Sequence, residues 1–304
     1  MKWSELSIRT PPEYAEPLSE IFRRYGEGGV AIEEVGDWDP DNDPATLGPP
    51  DFVIVRTYLR QDATYRSRRS MIQVGVKLVA LLAPLGELQE STMEEGEWLT
   101  AWRSHYGLLR IGRLVIRPSW QEYVLRPGEV MVVQDPGMAF GTGHHPTTRR
   151  CLEQLEQRVT SGMSLLDLGT GSGILAIAAV KLGAGSVVAL DNDSDAVESA
   201  RGNSQANGVD TEIKVIHGTL PHSLVSSGGY QLAVANVTAQ VITSKAQPLM
   251  DTLTPDGCLV VSGILHERLQ EVEEALAGVN ATVVEQVLDG DWVTLAVKRG
   301  AFPN

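Results

Sequence analysis

The chain has 304 residues, 42% of them hydrophobic and 21% charged, with a formal net charge of −14 and a pI near 4.9. This is a globular composition that excludes wholesale disorder, and its acidity argues against a broad nucleic-acid surface, which needs clustered Lys and Arg to displace counterions. Two distant cysteines, Cys151 and Cys258, behind a mixed polar N-terminus exclude a disulfide framework, and the most apolar stretch, 71–85, is broken by Gly75, Lys77 and Pro84 and is too short for a bilayer.

In chain order, residues 3–8 alternate as a strand, and 11–25 carry helical spacing through Tyr14, Leu18, Ile21 and Phe22 behind Pro11 and Pro12. Residues 30–35 read as a short strand and DFVIVRTYLR, 51–60, as a second, rich in β-branched and aromatic side chains. Helical spacing over 63–83 and a strand over 87–93 complete the order strand, helix, strand, strand, helix, strand, which predicts a ferredoxin-like α+β module. The loop 36–51 spaces Asp37, Asp39 and Asp41 like the start of a calcium loop. Asn42 replaces the required Gly, Gly48 replaces the closing Glu, and Pro40 and Pro44 resist the wrap, so it reads as a solvated loop. Arg56, Arg60, Arg66, Arg68 and Arg69 cluster locally and read as an ion-paired helix face rather than an RNA contact.

Residues 96–108 read as an amphipathic connector, giving a domain over 1–95 and a larger one over 109–304. From Arg110 onward strands are expected at 165–168, 187–190, 213–216, 232–235 and 258–262 with helices between them. Strands at 282–287 and 292–298 around Asp289-Gly290 form a hairpin. That alternation predicts a doubly wound α/β fold, a mostly parallel sheet with an antiparallel C-terminal hairpin.

The sharpest signal is SLLDLGTGSGILAIAAVKLGAGSVVALDND, 164–193. An apolar strand runs into Gly169, Gly171 and Gly173 and at once into a helix of small and apolar residues. Glycines let the backbone turn sharply and approach a ligand, and the helix N-terminus offers free N–H groups. Asp191 ends the next strand, about 20 residues on, where an acid grips ribose hydroxyls. The third glycine of the dinucleotide pattern is Ile174 here, and Asp167 precedes the glycines. This argues against a nicotinamide enzyme. Asp167 either orders the loop or meets an amino group of the ligand. Asp193 reads as the N-cap of the following helix, and Asn236, after the apolar run 232–235, stands at the carboxyl end of a buried strand, where ligands of open sheets bind.

Together with IGRLVIRPSW (111–120), the segments DPGMAFGTGHHPTTRRCLEQLE (135–156) and QLAVANVTAQVI (231–242) closely resemble the bacterial methyltransferase of large-subunit ribosomal protein eleven, the PrmA family, over residues 109 to the end. The resemblance implies a class I methyltransferase-like catalytic domain using S-adenosylmethionine and an N-terminal domain that holds the protein substrate. It implies methylation of lysine side chains and the N-terminal α-amine of that ribosomal protein. The cofactor contacts map onto Thr148, Gly169, Asp191 and Asn236, with Asp167 and Gly171 in the same loop and Asn236 as the catalytic residue. Where the family shows N-I-L-A, this chain has Asn236-Val237-Thr238-Ala239, keeping the Asn and changing its neighbours.

The same segments read alone agree. Gly137, Gly141 and Gly143 around Phe140 make a loop able to close over a ligand, and Thr147 and Thr148 open a helix, where their hydroxyls can cap it or face the ligand. His144 and His145 have no Cys or carboxylate at ligand spacing, so no metal is expected. The expected protein is a cytoplasmic monomer with a ribosomal protein as partner, needing neither membrane nor nucleic acid. Two alternatives stay open: a related protein-lysine or small-molecule methyltransferase with another acceptor, and a non-catalytic protein keeping the fold as a scaffold.

Overall fold

A computed structural model of the chain describes residues 2–34, 52–82, 84–97, 107–135 and 145–300. The acidic loop with Asp37, Asp39 and Asp41, most of the connector, and the glycine segment with Gly137, Phe140, Gly141, Gly143 and His144 lie outside the described residues. Contacts divide the chain into two compact units, one running to Gly107 and one beginning at Leu108.

The first unit contains β1 (Lys2–Thr10), α1 (Ala15–Tyr25), β2 (Glu27–Glu34), β3 (Val53–Arg60), α2 (Tyr65–Val79) and β4 (Gln89–Glu94). Its sheet order is β2-β3-β1-β4 with every described pairing antiparallel, the ferredoxin-like arrangement expected from the element order. Alternation along β1 and β3 sends Leu6, Ile8, Val53, Val55 and Leu59 to the same core as Leu18 and Phe22 of α1 and Ile72 and Val76 of α2. Four of the five clustered arginines, Arg56, Arg60, Arg68 and Arg69, are ion-paired. Arg56 meets Glu5 at 2.8 Å, Arg69 meets Glu90 at 2.7 Å, and Arg68 bonds Glu27 and reaches Asp62. One feature escaped the sequence reading: Met71, Val74 and Leu78, three and four residues apart on α2, are all exposed.

The second unit is built on a seven-stranded sheet. It consists of β8 (Ser164–Leu168), β9 (Ser186–Asp191), β10 (Ile213–His217), β11 (Tyr230–Asn236), β12 (Leu253–Leu265), β13 (Ala281–Asp289) and β14 (Trp292–Arg299). The order is β10-β9-β8-β11-β12-β14-β13, with the first five strands parallel and β14 antiparallel to both its neighbours. The helices are α3 (Pro146–Arg158), α4 (Ile174–Leu182), α5 (Ser194–Ala206), α6 (Ala239–Thr252) and α7 (Leu269–Gly278). Strand residues are apolar on both sides because both faces are covered. Leu165, Val187, Leu232 and Val260 pack with α3 and α4, while Leu166, Leu190, Ala233 and Val261 pack with α6 and α7. The chain leaves β8 outward to β9 and β10 and then returns to β11 on the opposite side. That switch of direction opens a crevice at the carboxyl ends of β8 and β11.

Two details differ from the linear reading. The hairpin pairs Asp289 with Trp292, so its central residues are Gly290 and Asp291, with Gly290 supplying the positive φ the tight turn needs. The segment 109–133 forms a separate sheet of β5 (Leu109–Ile111), β6 (Leu114–Arg117) and β7 (Val130–Val133) that the sequence reading did not assign. Its strands are three and four residues long, too short to show a period.

Asn207, just after α5, acts as a substitute strand for β7. Its Oδ1 accepts from the Val133 N–H and its Nδ2 donates to the Val133 carbonyl, both at 2.8 Å, while Nδ2 also donates to Asn203 O. Asn207→Ala leaves both Val133 groups without this partner and should cost roughly 1–3 kcal/mol, measured as a lowered midpoint in urea denaturation.

Candidate active site

The site is assembled where β8, β9 and β11 end. Leaving β8, the backbone turns through Gly169, Gly171 and Gly173, all with positive φ, of 75°, 55° and 85°. The Gly169 and Thr170 amides donate to Leu190 O at 2.8 and 3.0 Å, tying the turn to the end of β9. Gly173 passes so close to α5 that a Cβ would sit 3.1 Å from the Ala200 Cα, and Asn203 Nδ2 donates to Ser172 O at 2.7 Å. The loop is therefore fixed from both sides before any ligand arrives.

Asp191 closes this loop. Its Oδ2 accepts from the Gly171 N–H at 2.9 Å, its Oδ1 from the Asp193 N–H at 3.0 Å, and its carbonyl from the Gly218 N–H at 2.7 Å. The carboxylate is held in one orientation with acceptor capacity left on both oxygens. Asp193 caps α5 through a bond from the Asp195 N–H at 2.9 Å, the role its position predicted.

Asp167 is fully buried near the end of β8. Its Oδ2 accepts from the Thr170 hydroxyl at 2.7 Å, while Oδ1 has no hydrogen-bond partner among the described residues. Burial pushes its pKa up to about 7; the Thr170 hydroxyl and the Ala176 amide pull it down, and the nearby Asp191 charge adds to the rise. Cys151 of α3 is also buried, and burial with the Asp167 charge holds its thiol protonated. It is an inert packing group rather than a nucleophile.

On the other side of the crevice, Asn236 ends β11 and Thr148 lies in the first turn of α3. Asn236 Nδ2 donates to Thr148 Oγ1 at 3.1 Å across 88 residues of sequence. The hydroxyl of Thr148 is buried and turned to the site, so it does not cap its helix. That cap is His145, whose Nδ1 accepts from the Thr147 N–H. One N–H of the Asn236 carboxamide is thus held by Thr148, and its Oδ1 is an acceptor.

Two glycines far apart make this geometry possible. A Cβ on Gly169 would come within 2.3 Å of Val237 Cγ1, and one on Gly263, at φ 83° in the irregular part of β12, within 2.4 Å of the Val237 carbonyl. In the sequence His145 was weighed only as a metal ligand and Val237 only as a departure from the family pattern, while Gly263 was not singled out. The signal for Gly263 was present, since an isolated glycine inside an apolar strand marks a bulge or a close backbone approach. Among the described residues no three His, Cys, Asp or Glu side chains converge as a metal site.

The model of the family described as ribosomal protein L11 methyltransferase (PrmA) matches residues 2–300. The chain belongs to that family. The ribosomal protein L11 methyltransferase of Chloroflexus aurantiacus is 41% identical to it, covering 98% of this chain and 98% of the relative. That of Herpetosiphon aurantiacus is 37% identical, covering 98% and 99%. The crystal structure of ribosomal protein L11 methylase from Lactobacillus delbrueckii subsp. bulgaricus superposes with a TM-score of 0.60 at 33% identity. It covers 64% of this chain and 100% of that one. The sheet order, the antiparallel β14 and the helices on both faces are thus the Rossmann-like architecture of a family of methyltransferases.

The buried acid has a measurable consequence. Because folding raises the Asp167 pKa from 3.8 to about 7, its contribution to stability is fully present below about pH 4 and is lost as pH rises toward 7. Asp167→Asn removes the penalty of the buried charge. Without ligand, the variant should be more stable than the wild-type chain by roughly 2–4 kcal/mol above pH 7. That gap should close as pH falls to about 4, followed by thermal unfolding across the range.

Proposed function

We propose that the chain transfers methyl groups from S-adenosylmethionine to amines of large-subunit ribosomal protein eleven, its lysine side chains and N-terminal α-amine. The observation that carries this reading is the Asn236 carboxamide, turned by Thr148 so that a carbonyl acceptor faces the crevice beside the glycine loop and Asp191. S-adenosylmethionine, when bound, supplies a methyl group already activated on a sulfonium, so no covalent intermediate on the enzyme is required.

The residues present fit that group. Gly169 and Gly171 leave the backbone bare where a nucleoside passes, and Asp191, oriented by two amides, accepts from ribose hydroxyls. The unpartnered Oδ1 of Asp167 suits an ammonium or a water bound to it. Thr148 and Asn236 border the same ligand on the β11 side.

Asn236 then performs the orienting step. A free lysine, with a pKa near 10.4, must lose a proton before it can attack. Oδ1 of Asn236 would accept one N–H of the neutral amine and orient its lone pair for attack, which contributes through positioning rather than acid–base chemistry. Asn236 is no base, and the proton passes to water.

The N-terminal unit is read as the part that holds the protein substrate. Support comes from its independent core and from the exposed apolar stripe Met71, Val74 and Leu78 on α2, since patches of that kind mark protein contacts. The paired arginines and the net charge of −14 support an enzyme that needs no nucleic acid.

Incubating the protein with radiolabelled S-adenosylmethionine and unmethylated large-subunit proteins tests the reading. Label on ribosomal protein eleven, located by mass spectrometry, supports it, and label on another acceptor alone overturns the substrate. Asn236→Ala should lower kcat about 100-fold or more. Asp191→Ala should weaken cofactor binding by roughly 10–100-fold; unchanged calorimetric affinity would remove Asp191 from the ribose site.

A further inference from the structure

We infer that His145 is a positioning residue for methyl transfer, setting the Asn236 carboxamide through the first turn of α3. The inference rests on the reading of Asn236 as the group that orients the acceptor amine.

Three contacts carry it. The first is an unusual cap. Helix N-caps are normally Ser, Thr, Asp or Asn, whose short side chains reach back to an orphan N–H. Here Pro146 occupies the first helical position, where its missing N–H costs nothing, and the first donor to satisfy is Thr147. His145 Nδ1 lies 3.3 Å from the Thr147 nitrogen and 2.8 Å from its hydroxyl. A single ring nitrogen meets both groups, accepting from the Thr147 N–H.

The second contact is one a small cap could not make. The His145 ring meets Trp292 edge to face, with centroids 5.1 Å apart and planes at 71°, a favoured geometry for aromatic pairs. Trp292 is the first residue of β14 and pairs with Leu265 of β12 and Asp289 of β13. Farther along, α3 is tied to the same hairpin. Arg150 Nε meets Asp289 at 2.9 Å, Gln154 Nε2 donates to Glu285 at 2.8 Å, and Arg158 also bonds Glu285. His145 is therefore the attachment at the end of α3 that faces the site.

The third contact joins this attachment to the chemistry. Thr148, next to the capped Thr147 and 1% exposed, accepts a hydrogen bond from Asn236 Nδ2 on its Oγ1 at 3.1 Å. Asn236 offers Oδ1 to an amine only while that bond holds Nδ2. A shift of about 1 Å in the first turn of α3 breaks the bond and leaves the carboxamide free to rotate, a misplacement large enough to cost 100-fold in rate. A serine or asparagine cap would hold the helix. Of the two His145 contacts, the ring's is the one that holds the first turn against β14.

The test is a double-mutant cycle on the full chain, with kcat at saturating S-adenosylmethionine and ribosomal protein eleven, cofactor affinity by calorimetry, and thermal unfolding alongside. His145→Ala should lower kcat about 10-fold or more while cofactor affinity moves less than about 3-fold. His145→Asn, which restores an acceptor for the Thr147 N–H but not the ring contact with Trp292, should recover thermal stability while leaving most of the kcat loss in place. Combined with Thr148→Val, His145→Ala should cost no more than Thr148→Val alone, because both act through the same bond. Additive losses, full recovery of kcat by His145→Asn, or a loss in His145→Ala that follows cofactor affinity would overturn the inference. Should His145→Ala fail to fold, Trp292→Leu keeps the cap, removes the ring contact and enters the same cycle with the same two outcomes. Asn236→Ala separates the two readings. If it leaves kcat unchanged, the orienting role of Asn236 falls; if it abolishes kcat while the cycle is additive, only the role of His145 falls.

Discussion

Much of the catalytic unit depends on how closely three backbones approach one another at the carboxyl ends of β8, β11 and β12. Val237, immediately after the last strand residue of β11, lies against Gly169 on one side and Gly263 on the other, with no room for a Cβ at either position. The Val237 N–H donates to Ser262 O at 3.1 Å, completing the clamp. Asn236 is thereby held next to a rigid turn, and α6 starts at a fixed place directly after it. Strands in a parallel sheet are about 4.8 Å apart, so loops leaving adjacent strands collide unless one of them gives up its side chains. In this chain the glycines give way, and the site is the space that remains.

The second constraint is electrostatic. Asp167 and Asp191 stand on adjacent strands at the same end of the sheet, one buried and one half-exposed, and the charge of Asp191 adds to the burial that raises the Asp167 pKa. A fold selected only for stability would not keep a carboxyl with an unpartnered oxygen there. A cationic, donor-rich ligand of the kind proposed above would supply both the missing charge and the missing donor. Elsewhere the charges are neutralised locally. Arg56, Arg60, Arg68 and Arg69 of the N-terminal unit and Arg150 and Arg158 of α3 all meet carboxylates within the protein.

Helix α3 shows how a site residue can be recognisable while its surroundings are not. Thr148 stood out through a resemblance, yet its working partner lies 88 residues away and its helix is capped by a histidine rather than by a threonine of its own first turn. The helix bridges the switch point and the C-terminal hairpin, so the antiparallel strand β14 contributes to holding the acceptor side of the crevice. In that role the hairpin is more than an edge to the sheet.

The sequence alone determined every element whose signal is local. Two-residue alternation showed β1 and β3, and 3.6-residue spacing showed α1 and α2. Apolar runs of four or five residues showed the buried parallel strands, and an Asp-Gly pair announced the hairpin. The glycine loop, the strand-end Asp191 and the cap at Asp193 were legible for the same reason, because backbone turns and caps are decided within a few residues. What tertiary structure decided was every pairing between distant groups. These include Asn207 serving as a strand for Val133, Gly263 making room for Val237, Trp292 steadying His145, and Thr148 turning the Asn236 carboxamide. No window along the chain contains both members of those pairs. Their geometry exists only after the sheet order has brought the ends of β8, β11, β12 and β14 to one side.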